Sequence, residues 1–421
     1  MTLYDAVVIG GGPAGAVCAQ RLASRGRSVV VLEKGRHPRF HLGESLLPAS
    51  LGVLEAIGVI DEVRDTFMTK RGARFVDGVG GESARSVRYA FAEAFHARWD
   101  HAFQVPRDRF DELLFRRAGA SGAELREGCA VTRVVFEGQR AVGVEARGED
   151  GAPLSIAARV VVDASGREAL IARGERAVER IPHLDRTALF TQVRGAWRDV
   201  GERAGDIQIV VFGEGDQRGW FWVIPFRDGR TSVGAVVSSA WIRAHQGLKG
   251  PEALFGAAVD ETPAVAWMLQ GAERLFAPGA TADFSFRVRD LAGDGWLSVG
   301  DAGGFIDPLF STGAHLAMMG GLHGADAIDA ALDAGDVSRA RFLAWETRMR
   351  LGADLFMTMV QSFYEGVLSR LFFVDKPHPY IRRVITSLLA GDVFDENARW
   401  LVDARTRMTG PGLAQLLKDS S

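Results

Sequence analysis

Gly10, Gly12 and Gly15 stand in "YDAVVIGGGPAGAVCAQRLASRGRSVVVLEKG", with Glu33 near its end, in a chain of 421 residues. Gly-x-Gly-x-x-Gly at a strand-to-helix turn suits a dinucleotide. The first glycine makes the turn, the second lets backbone approach a pyrophosphate, and the third lets helix pack on strand. Residues 6–9 read as a strand, 13–24 as a helix and 28–32 as a second strand, so Glu33 falls where an acid takes ribose hydroxyls. A second acid, Asp301, ends the apolar strand of "GWLSVGDAGGFIDPLFSTG" and precedes a helix from about residue 313. There it can hydrogen-bond the polyol that joins a flavin to its phosphates, while amides of the following helix start face the electron-rich end of the ring. Lys70, in "TKRGARF", is the third group of interest. Lysine offers three rotatable donors and a pKa that desolvation lowers. Read alone it is a solvated lysine at a strand start, with Lys70, Gly72 and Arg74 on one face by alternation. In "GWFWVIP" (219–225), Trp220 and Trp222 share a face opposite Phe221, which alone reads as core packing.

An N-terminal glycine fingerprint paired with a late Gly-Asp segment resembles the FAD-dependent enzymes of the aromatic-hydroxylase-like superfamily, from about residue 3 to about residue 330. "VPRDRFDELL" (105–114) and "VVVDASG" (160–166) occupy places where that superfamily has further flavin contacts. The resemblance implies FAD rather than NAD, with contacts from Gly10, Gly12, Pro13, Ala14, Gly15, Glu33, Lys34, Arg107, Val131 and Asp301. "GEGDQRG" misses the fingerprint spacing and lacks a strand–helix frame, so no tight nicotinamide site is expected.

Four motifs in order narrow the resemblance: "RFHLGESLLPAS" (39–50), "TKRGARF" (69–75), "GWFWVIP" and "DPLFSTG" (307–313). Alone, the first reads as a loop and helix start, with Ser45 a cap and Pro48 in a first turn. Together they resemble flavin-dependent halogenases, most closely the group acting on phenols and pyrroles, often on a carrier protein. The resemblance implies that FADH2 from a separate reductase, oxygen and chloride or bromide yield hypohalous acid, which halogenates an electron-rich aromatic in secondary metabolism. It assigns Lys70 the holding or activation of that oxidant and adds Gly43, Glu44 and Ser45 to the flavin contacts. Trp220, Trp222 and Pro225 become part of a partition that keeps substrate from flavin. The halide falls to the backbone amides of Thr312 and Gly313 at a helix start, where Ser311 or Thr312 is equally an N-cap. Phe310 stands where free-tryptophan halogenases carry an acid, which counts against free tryptophan and against a carboxylate partner for Lys70. Competing readings are a flavin monooxygenase, weakened by the missing Asp-Gly pattern after the third strand, a polyprenyl-type flavin reductase, and a non-enzymatic flavoprotein.

The elements that must position these groups follow from alternation of strands and helices at both ends of the first part of the chain. The expected fold is α/β, with a Rossmann-type FAD-binding domain from residues 1–75, 105–170 and 285–335. A β-rich substrate-side domain takes 76–104 and 175–284, with a hairpin at Asp228-Gly229. A helical region takes 336–421, its last residues loose, and the aromatic-rich stretch 355–373 either packs as core or floors the substrate pocket. The chain is 47 % hydrophobic and 24 % charged with net charge −3, which suggests neither nucleic acid nor a membrane as partner. Cys18 and Cys129 are too few for a disulfide scaffold, and no signal peptide precedes the first strand, so a cytoplasmic setting is expected. His96, Asp100 and His101 have no metal spacing, and no metal is expected. His41, His315 and His323 lie near the flavin or pocket motifs but are ordinary packed histidines on their own.

Overall fold

Parallel strands buried on both faces are written as unbroken apolar runs, and two such runs seed the first layer. Val29–Glu33 is buried throughout, and Leu3–Ile9 is buried over its last four residues. In the computed structural model, which describes residues 2–95, 98–374, 378–395 and 398–407, these strands pair in parallel. The sheet continues from Leu3–Ile9 to Pro153–Asp163 and Trp296–Ser298, and from Val29–Glu33 to Glu124–Glu127. The antiparallel hairpin Ala130–Glu137 and Arg140–Arg147 hangs on Pro153–Asp163. The helices Pro13–Ala23 and Thr312–Asp333 pack against each other beside it. Pro13 suits a helix start because its fixed φ is helical and its missing N–H would be unpaired there anyway.

The second layer is an eight-stranded sheet in the order Glu273–Arg274, Arg186–Arg194, Arg230–Ser238, Gly219–Pro225, Ile207–Phe212, Gly72–Asp77, Ser86–Ala90, with Gly279–Ala282 also on Arg186–Arg194. All neighbours are antiparallel except Gly72–Asp77 with Ile207–Phe212. The hairpin expected at Asp228-Gly229 joins Gly219–Pro225 to Arg230–Ser238, with Pro225 opposite Thr231 and Gly229 at φ 91°. One boundary shifts, and one alternation fails. Gly72–Asp77 belongs to this sheet, so the chain leaves the first domain before residue 72 rather than after 75. The alternation from Lys70 to Arg74 also fails, because the strand changes partners at Arg71. Met68–Lys70 pairs with Ala102–Gln104, whereas Gly72 onward joins the large sheet. Lys70 is buried while Arg74 reaches outward to Ser86 and Asp199.

Helices Leu343–Tyr364, Val367–Phe372, Pro379–Leu389 and Arg399–Arg407 close the fold, and their apolar residues merge with the main core. Residues 408–421 and His96 lie outside the described residues. Among the described residues no helix is long and apolar enough to cross a membrane, and no cluster of His, Cys, Asp or Glu could hold a metal ion.

Candidate functional site

A cleft of ≈940 Å³ runs between the two sheets, near the upper end of the roughly 300–1,000 Å³ typical of small-molecule sites. It is lined by Gly10, Gly12, Pro13, Ala14, Glu33, Lys34, Gly43, Glu44, Ser45, Arg107, Val131 and Asp301, and across from them by Trp220, Trp222, Ile224 and Gly313. Gly15, Lys70, Pro225 and Thr312 are the expected site residues that do not line it. Gly15 lies under the turn, where a Cβ would come 2.0 Å from the Gly10 carbonyl oxygen, so only glycine lets the helix pass this close.

Glu33 is the most occupied acid in the cleft. Its carboxylate accepts Gly11 N–H at 2.7 Å and Gly35 N–H at 2.9 Å and faces Arg39 at 3.4 Å. Burial raises its pKa, but Arg39 and the two amides outweigh that and hold it below the ordinary value. Arg39, which carries no signal of its own in the sequence motif around it, lines the cleft with its buried Nε unpaired. A buried guanidinium N–H without an acceptor beside a glycine turn fits a phosphate-bearing ligand. Arg107 is clamped by Asp111 at 2.6 and 2.9 Å and donates to the Leu42 carbonyl at 2.6 Å. Asp301 is pushed up to about 6 by burial, against the pull of Arg107 and Arg167. The glycine turn, Glu33, Arg39 and Asp301 all border the cleft, and their donors and acceptors fit the ribose, phosphates and polyol of FAD.

Glu44 is 2 % exposed and accepts Gln192 Nε2–H at 2.9 Å. Burial pushes its carboxyl up to about 7, although Ser232, Gln192, Arg107 and Arg230 pull the other way. Through Gln192, on Arg186–Arg194, it ties the loop over the cleft to the second sheet. That partner came from a distant strand and carried no local signal. His41 lines the same loop with Nδ1 on the Leu42 carbonyl. His315 is instead a core residue on the Ser50 hydroxyl at 3.0 Å, and His323 is half-buried on the same helix. Cys18 and Cys129 are both free thiols.

Trp220 and Trp222 lie 5.9 Å apart between ring centres and face the cleft, while Phe221 turns into the opposite core. Each buried indole finds an acceptor. Trp222 donates to the Ser232 hydroxyl at 3.1 Å and Trp220 to the Tyr364 hydroxyl at 3.0 Å. Trp222 lies flat over Gly234, where a Cβ would come 2.2 Å from the ring, so a glycine in the neighbouring strand makes room for the wall.

Lys70 is 1 % exposed. Its Nζ reaches the Ser45 hydroxyl at 2.9 Å and the Leu46 carbonyl at 3.0 Å, and lies 5.1 Å from the centre of the Phe91 ring. Ser45 lines the cleft and Lys70 does not, so the amine sits one hydroxyl behind it. Burial pushes its pKa down to about 7, opposed only by the charge of Asp206. Phe310 is buried against Phe363 and Phe372, and Phe372 stacks on Phe75 at 3.8 Å. An aromatic layer from three distant segments therefore stands where a carboxylate partner was not expected.

The turn Asp307–Ser311 delivers helix Thr312–Asp333 to the cleft. Ser311 takes the N-cap position at φ 57° with no side-chain capping bond. The first amides of the helix, which lack intrahelical partners, thus have no hydroxyl cap. Thr312 is buried, and Gly313 opens to the cleft.

Residues 81–368 match the tryptophan halogenase family, and residues 8–45 match an NAD(P)-binding Rossmann-like domain. The 1H-pyrrole-2-carbonyl-[peptidyl-carrier protein] brominase of Pseudoalteromonas luteoviolacea is 30% identical, over 93% of this chain and 93% of its own. The corresponding chlorinase of Pseudomonas fluorescens is 31% identical, over 93% and 90%. Among solved structures, a flavoprotein/dehydrogenase from Cytophaga hutchinsonii superposes with TM-score 0.88 at 30% identity, covering 100% of both chains. The flavin-dependent brominase Bmp2 superposes with TM-score 0.84 at 28% identity, covering 96% of this chain and 98% of its own.

Proposed function

Since the chain belongs to the tryptophan halogenase family and is a flavin-dependent halogenase that uses FAD and a halide, we propose that it halogenates a pyrrole- or phenol-like ring presented on a carrier protein, with Lys70 as the amine that handles the oxidant. FADH2 comes from a separate flavin reductase. When bound, the reduced cofactor supplies with O2 and halide the hypohalous acid; overall FADH2, O2, halide ion, a ring C–H and one proton give FAD, the ring C–X and two waters.

The chain's own residues divide the remaining work. The glycine turn, Glu33, Arg39, Arg107 and Asp301 hold the cofactor. The uncapped amides at Thr312 and Gly313 hold the halide, since a helix start favours a small anion. Trp220 and Trp222 keep the aromatic substrate off the flavin face. Lys70 holds or accepts the oxidant behind them. An amine with a pKa of about 7 is half free base near neutrality and so has a lone pair to offer, which an arginine never has.

One observation carries this reading: a fully buried lysine whose nearest polar neighbour is the hydroxyl that borders the cleft. A core lysine with no duty would be replaced by an apolar residue, because burial of an amine lowers stability. Support for the ring and its carrier comes from the two pyrrole-carrier relatives, one a brominase and one a chlorinase, and from Phe310. The test supplies FAD, a flavin reductase, NADH and O2, with chloride and bromide in separate arms. Pyrrolyl-carrier thioester, free pyrrole-2-carboxylate and a simple phenol are offered as substrates. Halogenated carrier-bound product by mass spectrometry is expected; oxygenated product without halogen in every arm overturns the reading.

A further inference from the structure

The indole wall and the halide turn meet in one hydroxyl. Trp220 donates Nε1–H to Tyr364 Oη at 3.0 Å, and Tyr364 donates its own proton to Asp307 Oδ2 at 3.0 Å. The second carboxylate oxygen of Asp307 accepts Leu309 N–H at 2.9 Å. Asp307 is thereby pinned from both sides at the first position of the turn that ends in Ser311 and starts helix Thr312–Asp333. Asp307 and Trp220 are each 1 % exposed and Tyr364 is 8 % exposed, so water does not substitute for any of these bonds.

Tyr364 itself is tightly placed. It is the last residue of helix Leu343–Tyr364, and its carbonyl accepts Arg218 Nη1–H at 3.1 Å. The guanidinium of Arg186 covers its ring at 3.9 Å and donates to the Arg218 carbonyl at 2.8 Å. Arginines at a helix C-terminus complement both the free carbonyls and the helix dipole. The ring is therefore fixed by cation–π contact and by backbone, and the hydroxyl has one place to be.

We propose that Tyr364 is a positioning residue for halide binding: its hydroxyl holds Asp307, and through it the turn and the first amides of helix Thr312–Asp333, in register with the Trp220 indole. The inference rests on the reading of those amides as the halide site. Tyr364 does not line the cleft, so it acts only through Asp307 and Trp220. Removing the hydroxyl leaves two buried groups, an indole N–H and a carboxylate oxygen, without partners. That is a larger loss than one bond between neutral groups. The turn then relaxes, and the amides lose their aim.

The experiment uses the full chain loaded with oxidised FAD. Bromide is titrated while the flavin absorbance spectrum is followed, and halide KM and kcat are measured separately under turnover. Tyr364→Phe is expected to raise the bromide Kd and KM roughly tenfold to a hundredfold, with FAD affinity and kcat at saturating bromide within about twofold. Asp307→Asn, which keeps the shape of the carboxylate, is expected to move the same two quantities in the same direction. Unchanged bromide affinity in both variants overturns the proposal. So does a loss of FAD affinity and kcat in proportion, which marks a merely structural tyrosine. If the unmodified protein shows no bromide-dependent spectral change, the halide-site reading fails and this inference with it.

Discussion

In the cleft, Glu44 and Asp301 are acids that burial drives toward the neutral form, with carboxyls pushed up to about 7 and about 6. Behind the cleft, Lys70 is a base that burial also drives toward the neutral form, pushed down to about 7. The two regions touch through Glu44 and Ser45, consecutive residues of one loop, yet their pH dependences have opposite signs. An acid with a raised pKa lowers stability above its folded pKa, and a base with a lowered pKa lowers stability below its own. Both regions are poised near neutrality, where one side of the loop holds a carboxyl ready to ionise and the other an amine ready to deprotonate. The two regions also differ in their surroundings. The cleft is open and mixed in character, with Glu33, Arg39, Arg107 and Asp301 set among apolar residues such as Trp220, Trp222 and Ile224. The lysine is enclosed, with its amine on the Ser45 hydroxyl and the Leu46 carbonyl and the Phe91 ring beside it.

That comparison breaks most visibly at the glycine turn. Gly15→Ala forces a methyl into the Gly10 carbonyl at 2.0 Å, and should weaken FAD binding by roughly a hundredfold or more. Fluorescence titration checks it; near-normal affinity would show that the cleft is not the cofactor site. Next in size is Lys70→Met, which removes a buried amine and should stabilise the fold by a few kcal/mol at pH 6. The sign follows from the lowered pKa. The folded lysine is penalised fully below about pH 7, and the penalty vanishes as pH rises toward the ordinary lysine value of 10.5. Thermal melts should therefore show a gain that shrinks between pH 7 and pH 10. A destabilised variant at pH 6 would contradict the burial argument.

Glu44→Gln reverses the pattern with a smaller effect. The raised carboxyl favours folding below 4.5 and loses that advantage as pH rises through about 7, so glutamine should stabilise by about 1–3 kcal/mol at pH 8 and by almost nothing at pH 4.5. Equal melting shifts at both pH values would show that Glu44 does not titrate in the folded state. Smallest is Trp222→Phe, which deletes the bond to Ser232 and leaves a gap beside Gly234. About 1 kcal/mol of stability should go with it. A larger share of the reduced flavin should also end as hydrogen peroxide, measured with a peroxidase-coupled assay. Unchanged peroxide release would leave these indoles as core packing alone.

What sequence reading could reach depended on whether a constraint was local. Gly10, Gly12 and Gly15 are legible because the close approach of backbone to backbone occurs within one strand, turn and helix. The hairpin at Asp228-Gly229 is legible for the same reason. Lys70 stands out in the sequence only beside its companion motifs, since its burial comes from Phe91 and Leu46, and alternation misplaces it because the strand changes partners at Arg71. Gln192 and Tyr364 were out of reach. Each is one hydrogen bond from a site residue but far from it in sequence, and Tyr364 sits in a helix whose apolar spacing reads as plain core. Arg39 stands inside the motif of residues 39–50, and what sets it apart, a buried N–H with no acceptor, depends on packing that the motif does not show.

If oxidant is made in the cleft, as proposed, it is used at the amine behind it. Lys70→Ala tests this most directly when halogenated product is counted per reduced flavin oxidised, alongside the FAD Kd. The account predicts unchanged FAD affinity, flavin oxidation within about twofold of the unmodified protein, and a loss of halogenated product of roughly a thousandfold or more. Halogenation at an ordinary yield by the alanine variant would contradict it.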